Sequence, residues 1–149
     1  MVEKGKSAET LPSTKIVVAA VIFNKEGNAV LVGQRAEKIT FPLEWEFIGG
    51  KVEPGEELNT AIVREIKEEL NVEVVPVRVL GVLEHDFAGN TKRVQVHFIE
   101  CEPVGEVILD GNFEFHEKVE WVRFEELSNL NFIGSDGEFA QRLVSNFTD

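Results

Sequence analysis

Residues 49–72 of the chain read GGKVEPGEELNTAIVREIKEELNV, a loop rich in Gly and Pro followed by a helix-forming run. Two consecutive glycines allow the backbone to approach a ligand closely, and they leave carbonyl oxygens free to bind a metal ion. The sequence predicts a helix from about Glu56 to Leu70. We expect the helix to end at Asn71, because asparagine tolerates the left-handed backbone that is common just past a helix.

The predicted helix carries acidic side chains beside its apolar face. At about 100° per residue, that face is formed by Leu58, Ile62, Ile66 and Leu70. Glu65 and Glu69 each lie about 20° from Leu58 on this wheel, and Glu68 lies about 80° away. Carboxylates beside a packing face lose hydration, so they need a cation or a hydrogen-bond donor in compensation. Arg64 can serve one of them and Mg²⁺ the others; the alternative is a solvated surface helix with i,i+4 ion pairs.

The spacing of the charged residues resembles a known signature. From Gly50 the chain reads Gly, five residues, Glu56, seven residues, Arg64-Glu65-Ile66, one residue, Glu68-Glu69, one residue, Asn71-Val72. This pattern resembles the Nudix box, and the flanking residues 45–56 are similar to those of MutT-type nucleoside triphosphate pyrophosphohydrolases. Two positions depart from the family. Asn71 replaces the usual Gly, which fits the same helix end, and Ile48 replaces the usual Pro, which predicts a less rigid loop.

The resemblance implies a metal site and its supporting residues. Mg²⁺, with Mn²⁺ as a possible substitute, is expected to bind the helix acids and one backbone carbonyl, namely Glu65, Glu68, Glu69 and the oxygen of Gly49. Glu56 and Arg64 are expected to orient these carboxylates. Either Glu65 or Glu68 is the candidate for a metal-assisted base, and the two are not ranked. Some family members use a further acid before the last strand; Phe115 stands there, so Glu114 or Glu117 is considered as a substitute or as a solvated loop acid.

Four residues are candidate substrate contacts. Arg35 and Lys51 are predicted to contact phosphates, as a bidentate donor and a point charge respectively. By the family's pattern of base recognition, Phe47 could stack on a base, although an aromatic residue in such an apolar run is more often part of the core. Asp136 could accept hydrogen bonds from a base edge, and its alternative role is to cap the last helix.

The rest of the chain predicts a single domain. Residues 1–13 are expected to form a loose arm and residues 14–149 a Nudix hydrolase domain. Strands are predicted at 15–23 and 29–34, forming a hairpin, at 72–87 and 92–102, forming a second hairpin that turns at 88–90, and at 119–124. A final helix is expected to begin near Ser135 or Asp136. This order indicates a mixed β-sheet packed against helices. The resemblance implies an α/β (α+β) Nudix-type fold, in which that sheet is sandwiched between helices.

Composition limits the partners. The formal net charge of −12 would repel nucleic-acid polymers and anionic membrane surfaces. No apolar run approaches the roughly 20 residues that cross a bilayer, so we expect a cytoplasmic protein. We expect it to be a monomer or a homodimer. Cys101 is the single cysteine and is predicted to be a buried strand thiol. His85, His97 and His116 lack the spacing of a zinc site, and a substrate contact from His85 or His97 stays open.

The predicted activity is the Mg²⁺-dependent hydrolysis of a nucleoside triphosphate to the monophosphate and pyrophosphate. The nucleotide could be an oxidised or non-canonical one, such as 8-oxo-dGTP, or a pyrimidine triphosphate. The alternative within the enzyme class is a pyrophosphatase for ADP-ribose or another nucleoside diphosphate sugar, but the chain lacks the Pro that many ADP-ribose hydrolases have after the box. It also contains no Tyr, which counts against dinucleoside polyphosphate hydrolases. The alternative from another class is a non-catalytic nucleotide-binding sensor.

Overall fold

A computed structural model of the chain describes residues 13–87 and 92–147. The elements in chain order are β1 (Ser13–Val21), β2 (Ala29–Arg35), β3 (Trp45–Glu46), β4 (Gly49–Lys51), α1 (Leu58–Leu70), β5 (Val74–Phe87), β6 (Lys92–Pro103), β7 (His116–Arg123), a 3₁₀ helix (Phe124–Asn129) and α2 (Asp136–Phe147). The predicted arm at 1–12 and the predicted turn at 88–90 lie outside the described residues. Ser13, which we assigned to the arm, already begins β1.

The strands form two sheets. One has the order β4-β1-β6-β5, and the other has the order β3-β2-β7. Strands β1 and β6 are parallel, and the other pairs are antiparallel. The predicted mixed α+β architecture is therefore confirmed. The prediction had one sheet, whereas the structure divides the strands between two. The predicted hairpin of β1 with β2 is present only next to its turn, where Phe23 bridges Val30 and the Leu31 N–H donates to the Ile22 carbonyl; β2 does not pair along β1 itself. Both edges of β1 are already paired, with β4 and β6, so β2 enters the other sheet.

Helices cover both faces of the strand β1. Val18 and Ala20 pack in one apolar cluster with Ile62 of α1. Ala19 and Val21, which point the opposite way, pack in a second cluster that is completed by the α2 residues Phe139, Ala140 and Leu143. Alternate side chains of a strand point to opposite faces, so a continuous apolar run is what a strand buried on both sides requires. The predicted arrangement of sheet between helices is therefore confirmed.

Strands β5 and β6 form the long hairpin that the sequence predicts. Pro76 lies in β5, which is an edge strand, where the missing N–H of proline is tolerated. The pairing register shifts between Pro76 and Arg78. Cys101 on β6 is buried, and burial raises the pKa of its thiol to about 12. The prediction of a buried strand thiol is confirmed, and a thiol with this pKa is not an activated nucleophile.

Helix α1 ends where the sequence predicts. Asn71 has φ 57° and ψ 39°, and its N–H donates to the carbonyl oxygen of Lys67. The regular helix begins at Leu58, later than the predicted start at Glu56, because Glu56 closes a turn in which its N–H donates to the carbonyl of Glu53. None of the described helices is both long and apolar enough to cross a membrane.

Candidate active site

Gly49 and Gly50 lie in the short strand β4, where we had predicted irregular structure. Backbone hydrogen bonds join β1 to this segment at both ends, from Ala20 N–H to the Ile48 carbonyl and from Val52 N–H to the Ile16 carbonyl. Hydrogen-bonded and non-bonded pairs alternate along an antiparallel ladder, so Gly50 faces β1 through its backbone groups and Gly49 directs its own away from β1. The Gly49 carbonyl is therefore not used by the pairing with β1 and lies on the outer edge of the sheet.

Both glycines are required by close neighbours. A Cβ on Gly49 would collide with the backbone of Val18, and a Cβ on Gly50 would collide with the carboxyl group of Glu65. The pair thus brings β4 against β1 on one side and against a helix carboxylate on the other. This proximity gives a steric reason for the two glycines in the motif.

The Arg64 guanidinium binds several groups around it. It makes a bidentate contact with Glu56, with Nε to Oε2 at 2.8 Å and Nη2 to Oε1 at 2.9 Å. Nη1 donates to Glu65 at 3.0 Å and to Glu68 at 3.3 Å, and Nη2 donates to the Lys51 carbonyl at 3.1 Å. The hydrogen bonds from Arg64 lower the pKa of Glu56 to about 2. Glu56 and Arg64 thereby tie the loop after β4 to the helix acids; the orienting role stays a prediction.

The three helix acids differ in exposure. The side chains of Glu65 and Glu69 are 12% and 17% exposed, whereas that of Glu68 is 58% exposed. Burial raises the pKa of Glu65 although the Arg64 guanidinium opposes it. Burial also raises the pKa of Glu69, His116 opposes the rise, and the neighbouring acids Glu65, Glu46 and Glu68 add to it. The acids therefore form a cluster with excess negative charge, and two of the three are turned away from bulk solvent.

These acids do not form a complete coordination shell. Within residues 13–87 and 92–147, no group of three or more His, Cys, Asp or Glu side chains is arranged to hold a metal ion. Arg64 instead holds Glu65 and Glu68. The residues nevertheless fit a hard divalent cation, because they supply oxygen donors in excess of the neighbouring positive charge. The missing Cβ of Gly50 also lets the backbone come close to Glu65.

His116 is a site residue that our sequence analysis missed. Its ring is 3% exposed and lies between two carboxylates, with Nε2 at 2.8 Å from Glu46 Oε2 and Nδ1 at 3.6 Å from Glu69 Oε1. The other oxygen of Glu46 accepts from Arg35 Nη1 at 3.0 Å. His116 reaches these carboxylates because β7 pairs with β2, which puts His116 opposite Arg35. That pairing joins segments that are remote in sequence, so local patterns did not reveal it.

The two predicted phosphate contacts, Arg35 and Lys51, have different surroundings. Arg35 donates through Nε and Nη2 to Thr40 and through Nη1 to Glu46, so its guanidinium is already bound to protein groups. The predicted bidentate grip on phosphate would require these bonds to open. Lys51 is exposed, and its charge together with that of Lys92 lowers the pKa of Lys15. Three lysines therefore lie close together, and we had predicted only one of them.

Phe47 and Asp136 are both buried. Phe47 is 2% exposed, with its ring stacked on Phe132 and edge-on to Phe98 and Phe139. The core alternative for Phe47 is the one that this packing supports, and a base could stack on it only if Phe132 moved away. Asp136 Oδ2 accepts the backbone N–H of Phe47 at 2.9 Å. Burial raises the pKa of Asp136 to about 8. Its carboxyl group thus joins α2 to the segment before Gly49, a role that neither of our alternatives foresaw.

Glu114 lies just before β7, and Glu117 is the second residue of that strand. Glu117 Oε2 accepts the backbone N–H of Glu37 at 3.1 Å, so it holds the loop after β2 and not the helix acids. Glu114 is exposed. These placements agree better with a solvated or loop-binding role than with completion of the carboxylate cluster.

The fold and the carboxylate helix define a Nudix hydrolase, and the chain belongs to this family: the NUDIX domain model matches residues 13–143. Among its relatives is the putative 8-oxo-dGTP diphosphatase 2 of Mycobacterium tuberculosis, 32% identical over 126 residues that cover 82% of each chain. The CTP pyrophosphohydrolase of Escherichia coli K12 is 45% identical over 74 residues, 50% of this chain and 54% of that one. The solved structure of a MutT protein from Methanosarcina mazei Go1 matches with a TM-score of 0.74 and 25% identity, covering 94% of this chain and 99% of that one.

The protein is accordingly a pyrophosphohydrolase that acts on phosphorus-containing anhydrides. Nudix hydrolases generally use divalent metal ions, which agrees with the excess of oxygen donors around α1. The predictions of family and enzyme class are confirmed.

Proposed function

We propose that the protein hydrolyses a nucleoside triphosphate to the nucleoside monophosphate and pyrophosphate, with Mg²⁺ as the physiological ion and Mn²⁺ as a substitute. The observation that carries the proposal is the carboxylate cluster at α1, in which Arg64 joins Glu65 and Glu68 of the helix to Glu56 of the preceding turn, next to Gly50. Relatives named as an 8-oxo-dGTP diphosphatase and a CTP pyrophosphohydrolase support a triphosphate substrate.

Glu65, Glu68, Glu69 and the Gly49 carbonyl would hold the ion. When bound, the ion neutralises charge on the phosphoryl oxygens and makes a coordinated water more acidic. Glu65 or Glu68 accepts the proton of the attacking water. Arg64 does not touch the substrate in this scheme; it keeps the Lys51 carbonyl at the end of β4 and the Glu56 carboxylate against the helix.

The lysines Lys15, Lys51 and Lys92 supply the attraction for the phosphate chain. The pairing registers put Lys51 beside Val17 and Lys92 beside Ser13, which brackets Lys15 on β1. Strand residues two apart share a face, so Lys15 and Val17 point to the same side of the sheet. In a chain of net charge −12, this local concentration of positive charge favours a polyphosphate at this end of the sheet.

Aromatic side chains near the same end provide a surface for a base. Phe41 is 43% exposed and contacts Phe87 with ring centroids 5.4 Å apart, and Phe87 contacts His85 at 4.4 Å. Gly134, in the segment before α2, lies against both Phe87 and His85. Exposed aromatic faces beside a basic cluster suit a ligand that joins a flat ring to phosphates.

The test is turnover of a panel of canonical and oxidised nucleoside triphosphates, together with ADP-ribose, with and without Mg²⁺. We expect pyrophosphate and a monophosphate as products, and loss of turnover in Glu68→Gln. Glu68 is largely exposed, so this substitution should leave the fold intact. Glu57→Gln, an exposed acid at the start of the same helix, is the matched control and should keep full activity. Cleavage of ADP-ribose alone, or metal-independent turnover, would overturn the proposal.

A further inference from the structure

We propose that His116 is a positioning residue that fixes the carboxyl group of Glu69 for the divalent ion, and that Glu46 in turn fixes His116. The inference rests on the proposed function, because it assigns a task to a residue that supports the same metal site. His116 lies outside the signature sequence that α1 carries, on strand β7 of the three-stranded sheet.

The two ring nitrogens of His116 have separate partners. Nε2 lies 2.8 Å from Glu46 Oε2, which is a short hydrogen bond to a carboxylate. Nδ1 lies 3.6 Å from Glu69 Oε1, which is beyond hydrogen-bond length. Nδ1 is also buried, and it has no hydrogen-bond partner among residues 13–87 and 92–147. Buried polar atoms in folded proteins are almost always paired, so an unpaired nitrogen facing a carboxylate indicates a contact that forms in another state of the site.

The imidazole ring cannot easily turn to another orientation. A Cβ on Gly33 would lie 2.7 Å from His116 Cδ2, so the backbone of β2 packs closely against one edge of the ring. Arg35 holds Glu46 from its other oxygen at 3.0 Å. A fixed ring that faces Glu69 restricts where the Glu69 carboxyl group can lie. When both ring nitrogens carry a proton, Nε2–H donates to Glu46, and a displacement of less than an ångström would let Nδ1–H donate to Glu69.

This arrangement corresponds to an outer-shell partner of a metal-binding carboxylate. Such partners orient the ligand, and their loss typically lowers metal affinity or activity by about 10–100-fold. A purely structural histidine would affect stability and leave metal affinity unchanged. Metal affinity therefore separates the two roles.

The experiment compares two amide variants that each keep one of the two contacts. In His116→Asn the amide nitrogen takes the position of Nδ1, and in His116→Gln it approximates Nε2. We expect His116→Gln to weaken Mn²⁺ binding, measured by electron paramagnetic resonance, by about 10–100-fold, and His116→Asn to weaken it less. Urea unfolding of each variant reports the structural cost. His97→Asn, a partly buried histidine that contacts Gln95 on β6, is the matched control and should bind Mn²⁺ as the parent protein does.

The outcomes distinguish this inference from the proposed function. If the parent protein binds Mn²⁺ and hydrolyses triphosphates while His116→Gln binds Mn²⁺ equally well, the positioning role is refuted and the function stands. If the parent protein neither binds Mn²⁺ nor turns over, both are refuted. Should His116→Gln fail to fold, Glu46→Ala removes the oxygen that accepts from Nε2 and tests the same chain of contacts; unchanged Mn²⁺ affinity in that variant would refute the role.

Discussion

The substitution Gly50→Ala should lower the catalytic rate strongly and the folding stability only slightly. Gly50 has no left-handed backbone angle, so alanine fits its conformation, but the new methyl group would collide with the carboxyl group of Glu65. The carboxyl group would have to move by about 1 Å to restore ordinary contact, and a misplacement of that size in an active site can cost about 100-fold in rate. Glu65 is the end of a side chain and can rotate, so the stability cost should stay near the low end of overpacking, about 1 kcal/mol.

The assay is release of pyrophosphate at saturating Mg²⁺, combined with urea unfolding of the same preparations. Gly27→Ala is the matched control, because Gly27 has φ +75° and open space around it. That variant should lose about 1–2 kcal/mol from backbone strain and keep its kcat. A Gly50→Ala protein with the kcat/KM of the parent would refute our account of why the second glycine is needed.

Three further outcomes follow from the described contacts. Asp136→Asn should flatten the pH dependence of stability measured by urea unfolding. Burial raises the pKa of Asp136 from 3.8 to about 8, so the stability that its neutral carboxyl group contributes is fully present below pH 3.8 and is lost as the pH rises through about 8. Lys51→Ala should raise KM for triphosphates more than it lowers kcat, and the loss should shrink at high salt, whereas Lys67→Ala on the exposed side of α1 should change neither. Arg64→Lys should lower kcat/KM by at least 10-fold despite the retained charge, because a lysine cannot reproduce the bidentate contact with Glu56, and circular dichroism should show the helix intact.

Local signals were sufficient for the helix that carries the acids. The spacing of Leu58, Ile62 and Ile66 gave the buried face, and the left-handed preference of asparagine gave the end at Asn71; both depend on neighbouring residues alone. The same holds for the β5–β6 hairpin. These features were predictable because the chain near them contains the information.

Features that depend on remote pairing were not predictable in this way. The sequence suggests a hairpin between β1 and β2, yet β1 has both edges occupied by β4 and β6, and only the assembled sheet shows this. His116 becomes a partner of Glu46 and Glu69 through pairing across most of the chain. Asp136 was predicted to accept hydrogen bonds from a nucleotide base or to cap α2. Its observed contact accepts the N–H of Phe47 and joins distant segments, so local patterns did not indicate it.

Strand β1 has a consequence for redesign of this enzyme. Its alternate side chains belong to two apolar clusters, one shared with the helix of the metal acids and one shared with α2. If the base of the substrate binds beside Phe87 and Gly134 as proposed, a library confined to the α2 side would change its surroundings without altering the packing under the acids. Substrate selectivity could then be varied while the residues of the metal site stay the same. This is a practical route to several enzymes from a single scaffold.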